Sequence, residues 1–129
     1  MATARLLIID EHDTVREALE ARLNTTDDLE VVGCTGCWKT GLEQAVTRKP
    51  DVVLLETKRA DGEGLDALRS LTEQCPSTSV VILTSYPDDE EKAEALEMGA
   101  ASYVLKDIDT SQLVREIQAV APTADHAGL

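Results

Sequence analysis

The chain has 129 residues, of which 43% are apolar and 29% charged, and a formal net charge of −13. That length fits one domain with a single core and is too short for two, and the apolar share excludes a disordered chain. A surface this acidic repels phosphate backbones and anionic lipid headgroups, so this segment is not expected to bind nucleic acid or a membrane directly.

From the N-terminus, Leu6-Leu7-Ile8-Ile9 predicts a first strand, and Val15, Leu19 and Leu23, recurring every fourth residue, predict a helix after it. Leu29-Glu30-Val31-Val32 is a shorter, more polar run that suits a strand near a sheet edge. Leu42, Ala45 and Val46 mark the apolar face of a second helix. Val52-Val53-Leu54-Leu55 is a third strand, uninterrupted in the manner of one buried on both faces. Leu65, Leu68 and Leu71 predict the third helix, and Val80-Val81-Ile82-Leu83 the fourth strand. Ala93, Leu96 and Ala100 give a thinner fourth helical stripe, with Gly99 placed to cap it in a left-handed conformation. Ser102-Tyr103-Val104-Leu105 is a fifth strand, again near an edge, and Leu113, Ile117 and Val120 face the core from a fifth helix.

Strand and helix thus alternate five times, which predicts an α/β fold: a doubly wound, five-stranded parallel sheet with five helices and right-handed crossovers. Residues 1 to 121 are read as one domain and 122 to 129 as a flexible tail or the start of a linker. With Trp38, Tyr86 and Tyr103 as the whole aromatic complement, the core is built from Leu, Val, Ile and Ala. No run reaches the ~18 apolar residues of a membrane span and no long apolar stretch opens the chain, so the cytoplasm is the expected address. Cys34, Cys37 and Cys75 fit no secreted disulfide framework, and reduced thiols are expected.

In an open α/β sheet, ligands bind beyond the carboxyl ends of the strands, at the point where strand order reverses. Those ends carry Asp10 and Glu11, with Asp13 close behind, after the first strand; Glu56 after the third; Thr84 and Ser85 after the fourth; and Lys106 after the fifth. Carboxylates this close repel one another unless they share a cation, and either Lys106 or a hard divalent ion such as Mg²⁺ serves that need. Any one polar residue at a strand end is simply where a strand meets water. It is the complementary set, gathered from four strand ends, that points to a site.

The spacing Asp10-Glu11, Asp51-Val-Val-Leu-Leu-Glu56, Leu83-Thr84-Ser85 and Tyr103-Val-Leu-Lys106 resembles the receiver domain of two-component response regulators over residues 4 to about 121. Gly64 matches the family's glycine in the loop after the phosphorylation site. The stretches around Leu83-Thr84-Ser85-Tyr86, Met98-Gly99-Ala100 and Leu105-Lys106-Asp107 look most like the subfamily with a LuxR-type output. The resemblance implies a flavodoxin-like fold that takes a phosphoryl group onto an aspartate at the end of the third strand, with Mg²⁺ held by the acidic pair. It also implies that Lys106 and Thr84 contact the phosphoryl oxygens and that Tyr103 rotates between states. By the same resemblance the fourth helix, fifth strand and fifth helix contact a protein partner or a second copy, a sensor kinase acts upstream, and DNA is reached through a C-terminal domain. This is a signalling module and not an enzyme.

The sequence departs from that pattern where the chemistry is centred. Glu56 stands at the acceptor position and Glu11 at that of a direct metal ligand, each one methylene longer than aspartate, so Asp10, Glu11 and Glu56 make at best a weakened Mg²⁺ site. Catalytic geometry tolerates little displacement, and transfer onto Glu56 is expected to be slow or absent. Arg59-Ala60 replaces an apolar residue and a proline. Glu56 is either natural, its longer arm reaching Lys106 and Thr84 in imitation of the charged state, or an Asp-to-Glu mimic introduced into an ordinary receiver; the accompanying departures favour the first. The plainest reading makes Glu56 a surface carboxylate paired with Lys106 or Lys58 and carrying no signal.

Two other features suggest chemistry. Cys34-Thr-Gly-Cys37 has the CxxC spacing of redox and zinc sites, but it stands without a second pair, His12 and His126 are far apart, and Trp38 follows the motif instead of preceding it. A thiol redox or metal module is therefore the alternative from another class. Trp38 is read as packing at the base of the second helix, His12 as a loop residue without required chemistry, and Asp88-Asp89-Glu90-Glu91 as acidic residues suited to a helix N-terminus.

Overall fold

The computed structural model describes residues 3–122. The elements are β1 (Ala4–Ile9), α1 (Asp13–Leu23), β2 (Leu29–Thr35), α2 (Trp38–Arg48), β3 (Val52–Leu55), α3 (Gly64–Gln74), β4 (Ser79–Thr84), α4 (Asp89–Glu97), β5 (Ser102–Leu105) and α5 (Thr110–Val120). All strand pairs are parallel and the order is β2-β1-β3-β4-β5, which puts the two polar runs at the edges and the switch point between β1 and β3.

Side chains alternate across a strand, so a strand buried on both faces feeds two cores. Leu6 and Ile8 join Leu54, Leu83, Leu19, Leu23, Leu113 and Ile117 on the face covered by α1 and α5. Leu7 and Ile9 join Val53, Leu55, Ile82, Ala45, Leu68 and Leu71 on the other. Removing residues of this size from water, at roughly 25 cal/mol per Å² of apolar area, is the main term holding the layers together.

Three sequence expectations are corrected. β2 runs on through Gly33, Cys34 and Thr35, opposite Leu7, Ile8 and Ile9, although Gly33 ends its apolar signature. In α2 the buried positions are Gly41 and Ala45, while Val46 is 47% exposed. In α4 the inward residue is Ala95, and Ala93 and Leu96 both face out. So few apolar residues leave the α4 pattern ambiguous, and its register is set instead by Asp88, whose carboxylate accepts the Glu90 and Glu91 amides at 3.0 and 3.1 Å. At the other end Gly99 (φ 108°) caps the helix as expected: its N–H bonds Leu96 O and that of Ala100 bonds Ala95 O. Most of the expected tail, 123–129, lies outside the described residues; Pro122 is exposed after the last helix.

Candidate functional site

The sheet's hydrogen bonding continues one residue past its strands and gathers the chemistry. Asp10 N–H donates to Thr35 O, Glu56 N–H to Ile9 O and Lys106 N–H to Thr84 O, at 3.0, 3.1 and 2.9 Å. Asp10 and Glu56 therefore leave adjacent strands side by side at the switch point, and Lys106 enters from β5.

The Lys106 ammonium lies 2.5 Å from Asp10 Oδ2 and 2.9 Å from Glu56 Oε1. Both carboxylates are interior, Asp10 2% and Glu56 1% exposed, and the lysine side chain is 10% exposed. Glu56 is thus no surface residue, and it reaches Lys106 directly. The remaining acceptors are taken as well: Glu56 Oε2 by the Lys58 N–H at 2.9 Å, and Asp10 Oδ1 by the His12 N–H at 2.9 Å with the His12 ring Nδ1 at 3.2 Å. Burying charge is tolerated when each oxygen is paired in this way.

The other expected site residues are arranged differently. Thr84 is fully buried, but its hydroxyl accepts the Tyr86 N–H at 3.1 Å and makes no hydrogen bond to Glu56. Ser85 is exposed, and Asp13 pairs outward with Arg16 at 2.6 Å. Glu11 turns away from Lys106, its Oε1 accepting the Ala60 N–H at 2.5 Å. Tyr103 is half-buried, its hydroxyl accepts the Asp88 N–H at 3.2 Å, and burial raises its pKa.

Gly64 opens α3 where the loop after Glu56 folds back: a Cβ there would fall 1.9 Å from Thr57 O, so only glycine fits. From this loop Thr57, which the sequence did not flag, and Lys58, expected at Glu56, reach α4. The Thr57 hydroxyl bonds Glu91, and the Lys58 ammonium pairs with Glu91 at 3.2 Å and Asp88 at 3.6 Å. Arg59 is folded inward, 4% exposed, with Nη2 on Gly36 O at 2.9 Å and Nε on Asp61 at 3.2 Å. The Lys58 side chain goes to α4, and it is its backbone amide that meets Glu56; charge pattern alone carries no sign of that.

A model of the response regulator receiver domain matches residues 6–118. The chain belongs to that family. As a receiver it is similar to the uncharacterized transcriptional regulatory protein YhcZ of Bacillus subtilis, 36% identical over 88% of this chain and 53% of that one. It is also similar to the DNA-binding transcriptional activator DevR/DosR of Mycobacterium tuberculosis, 34% identical over 90% of this chain and 54% of that one. Among solved structures, a LuxR-family two-component response regulator from Aurantimonas superposes with a TM-score of 0.85 at 25% identity, covering 92% of this chain and 85% of that one. The receiver spans about half the length of the curated relatives it matches.

Receiver domains typically bind Mg²⁺ at the phosphorylation site. The residues here do not fit that ion as they are arranged. Mg²⁺ requires a near-octahedral set of free oxygens, whereas Lys106 occupies the space between Asp10 and Glu56 and Glu11 is engaged with Ala60. Among the described residues, no group of three or more His, Cys, Asp or Glu side chains is placed to hold a metal.

The thiols stand apart. Cys34 packs with the α1 and α5 core, and burial raises its pKa, whereas Cys37 caps the start of α2 and is exposed, its pKa lowered first by the Thr40 backbone amide. Trp38 packs at the start of α2 as expected and donates Nε1–H to Glu63 at 2.8 Å. No helix among the described residues is long and apolar enough to cross a membrane.

Proposed function

We propose that this receiver signals by contact and is not switched by phosphorylation at Glu56 in the usual way. One observation carries the reading: the acceptor position holds a buried glutamate whose two oxygens are already committed, to Lys106 and to the Lys58 amide. Transfer of a phosphoryl group needs a free carboxylate oxygen in line with the donor. Of the two contacts that would imitate the charged state, the one to Lys106 is made and the one to Thr84 is not.

The output is transcription, through a DNA-binding domain of the kind found in its transcriptional-regulator relatives, and a sensor kinase is not required to set the state. A protein partner or a second copy docks on α4, β5 and α5, where Leu96 and Leu105 are 42% and 39% exposed beside Tyr86, 57% exposed in the loop before α4. The same geometry serves an Asp-to-Glu mimic in an ordinary receiver. A redox module is disfavoured, because Cys34 packs against the α1 and α5 core while Cys37 is exposed at the start of α2.

Hydrogen exchange tests the reading. In Glu56→Gln, without phosphodonor, amides of residues 57–63 and of the first turn of α4 are expected to exchange faster than in the unaltered chain. Unchanged exchange there would mean that Glu56 carries no signal to the contact face.

A further inference from the structure

We infer that this chain dispenses with a divalent cation: Lys106 is the pocket's resident cation, and Glu11 together with Ala60 forms a latch that keeps the third carboxylate out. The inference rests on the reading of Glu56 just given and extends it to what holds the pocket closed.

Three observations combine. The ammonium of Lys106 is within hydrogen-bond distance of Asp10 and Glu56, so the charge a metal would neutralise is already compensated from within the chain. Each pocket carboxylate also has its second oxygen tied to a backbone amide, Asp10 to that of His12 and Glu56 to that of Lys58. A metal would have to break these bonds as well as displace the lysine. Finally, the Glu11 carboxylate spans the β1–α1 and β3–α3 loops to accept the Ala60 N–H at 2.5 Å. That bond exists only because residue 60 has an N–H; a proline there would have none and would leave Glu11 without its partner. Glu11, Glu56 and Ala60 are thus parts of one arrangement, in which longer carboxylates reach donors supplied by the protein.

The test is thermal melting of the whole chain in MgCl₂ against choline chloride of matched ionic strength, beside Lys106→Ala and Ala60→Pro. A ligand that binds only the folded state raises the midpoint as its concentration rises. The unaltered chain is expected to show no Mg²⁺-specific rise. Lys106→Ala should melt lower without Mg²⁺ and recover with it, its apparent affinity for Mg²⁺ gaining about tenfold or more from the loss of one adjacent positive charge. Ala60→Pro, with Lys106 intact, should gain a smaller Mg²⁺ response as Glu11 is released. A Mg²⁺-specific rise in the unaltered chain equal to that of Lys106→Ala would overturn the inference. So would the absence of any Mg²⁺ response in folded variants, because the lysine and the latch would then not be what excludes the ion. Intact mass after exposure of the unaltered chain to a phosphodonor separates the two claims: Mg²⁺ binding by that chain without phosphorylation overturns only this inference, and phosphoryl-Glu56 overturns the reading beneath it.

Discussion

Two ion clusters lie within two residues of each other along the chain and do different work. Asp10, Glu56 and Lys106 form a buried cluster at the switch point, while Lys58, Asp88 and Glu91 form an outer clasp between the β3–α3 loop and α4. The chemistry is the same and the dielectric is not. Charges out of water interact strongly and are ruinous when unpaired, whereas exposed pairs are weakened by water and screened by salt. The buried cluster can therefore hold a state, and the clasp can transmit or release it.

Breaking the inner cluster should have the largest effect. Lys106→Ala leaves Asp10 and Glu56 facing each other without their cation, and about 3–5 kcal/mol of stability is expected to be lost in urea titration without Mg²⁺. A loss no larger than that of an exposed pair would erase the distinction between the clusters. Gly64→Ala acts at the joint between them: a Cβ 1.9 Å from Thr57 O must displace the loop carrying Thr57 and Lys58, at about 3 kcal/mol. Spectroscopic perturbation should then reach both Lys106 and α4, where a confined packing defect would reach neither.

The outer clasp should respond to solution conditions before stability does. Adding salt to about 0.5 M should speed amide exchange in the first turn of α4 and spare the residues around Glu56. Lys58→Ala should reproduce that effect at low salt with little change in the melting midpoint. Asp88 is held below its ordinary pKa of 3.8, first by the Glu91 amide. Its folded pKa is depressed, so its contribution is complete above that ordinary value and is lost as pH falls through the folded one. Lys58 is raised above 10.5 chiefly by Glu91, so its contribution is present below that value and is lost as pH rises through the folded pKa. Protection of the α4 first turn, taken as exchange relative to the intrinsic rate at each pH, should accordingly stay flat across neutral pH and fall at both extremes, and Asp88→Ala should remove the acid limb.

The parallel sheet, the edge places of its second and fifth strands and the gathering of Asp10, Glu56 and Lys106 at strand ends follow from apolar runs ending in polar residues, and these were legible in the sequence. The inward face of α4 was not, because Ala93, Ala95 and Leu96 offer competing stripes and the Asp88 cap decides between them. Nor was the destination of each donor: Thr84 was expected at Glu56 and bonds the Tyr86 amide, and Glu11 was expected in the pocket and bonds the Ala60 amide. Backbone amides in loops leave no mark in composition or periodicity. The same holds for His12, read as without required chemistry, whose amide and ring both meet Asp10.

The most direct test of whether Glu56 closes the site is intact-mass measurement of the chain after incubation with a small-molecule phosphodonor and Mg²⁺, beside Glu56→Asp. The unaltered chain is expected to gain no phosphoryl mass. Gain by the aspartate variant alone would place the block at Glu56, and gain by neither would extend it to Glu11, Ala60 and Lys106. A phosphoryl group on Glu56 of the unaltered chain would contradict the central claim outright.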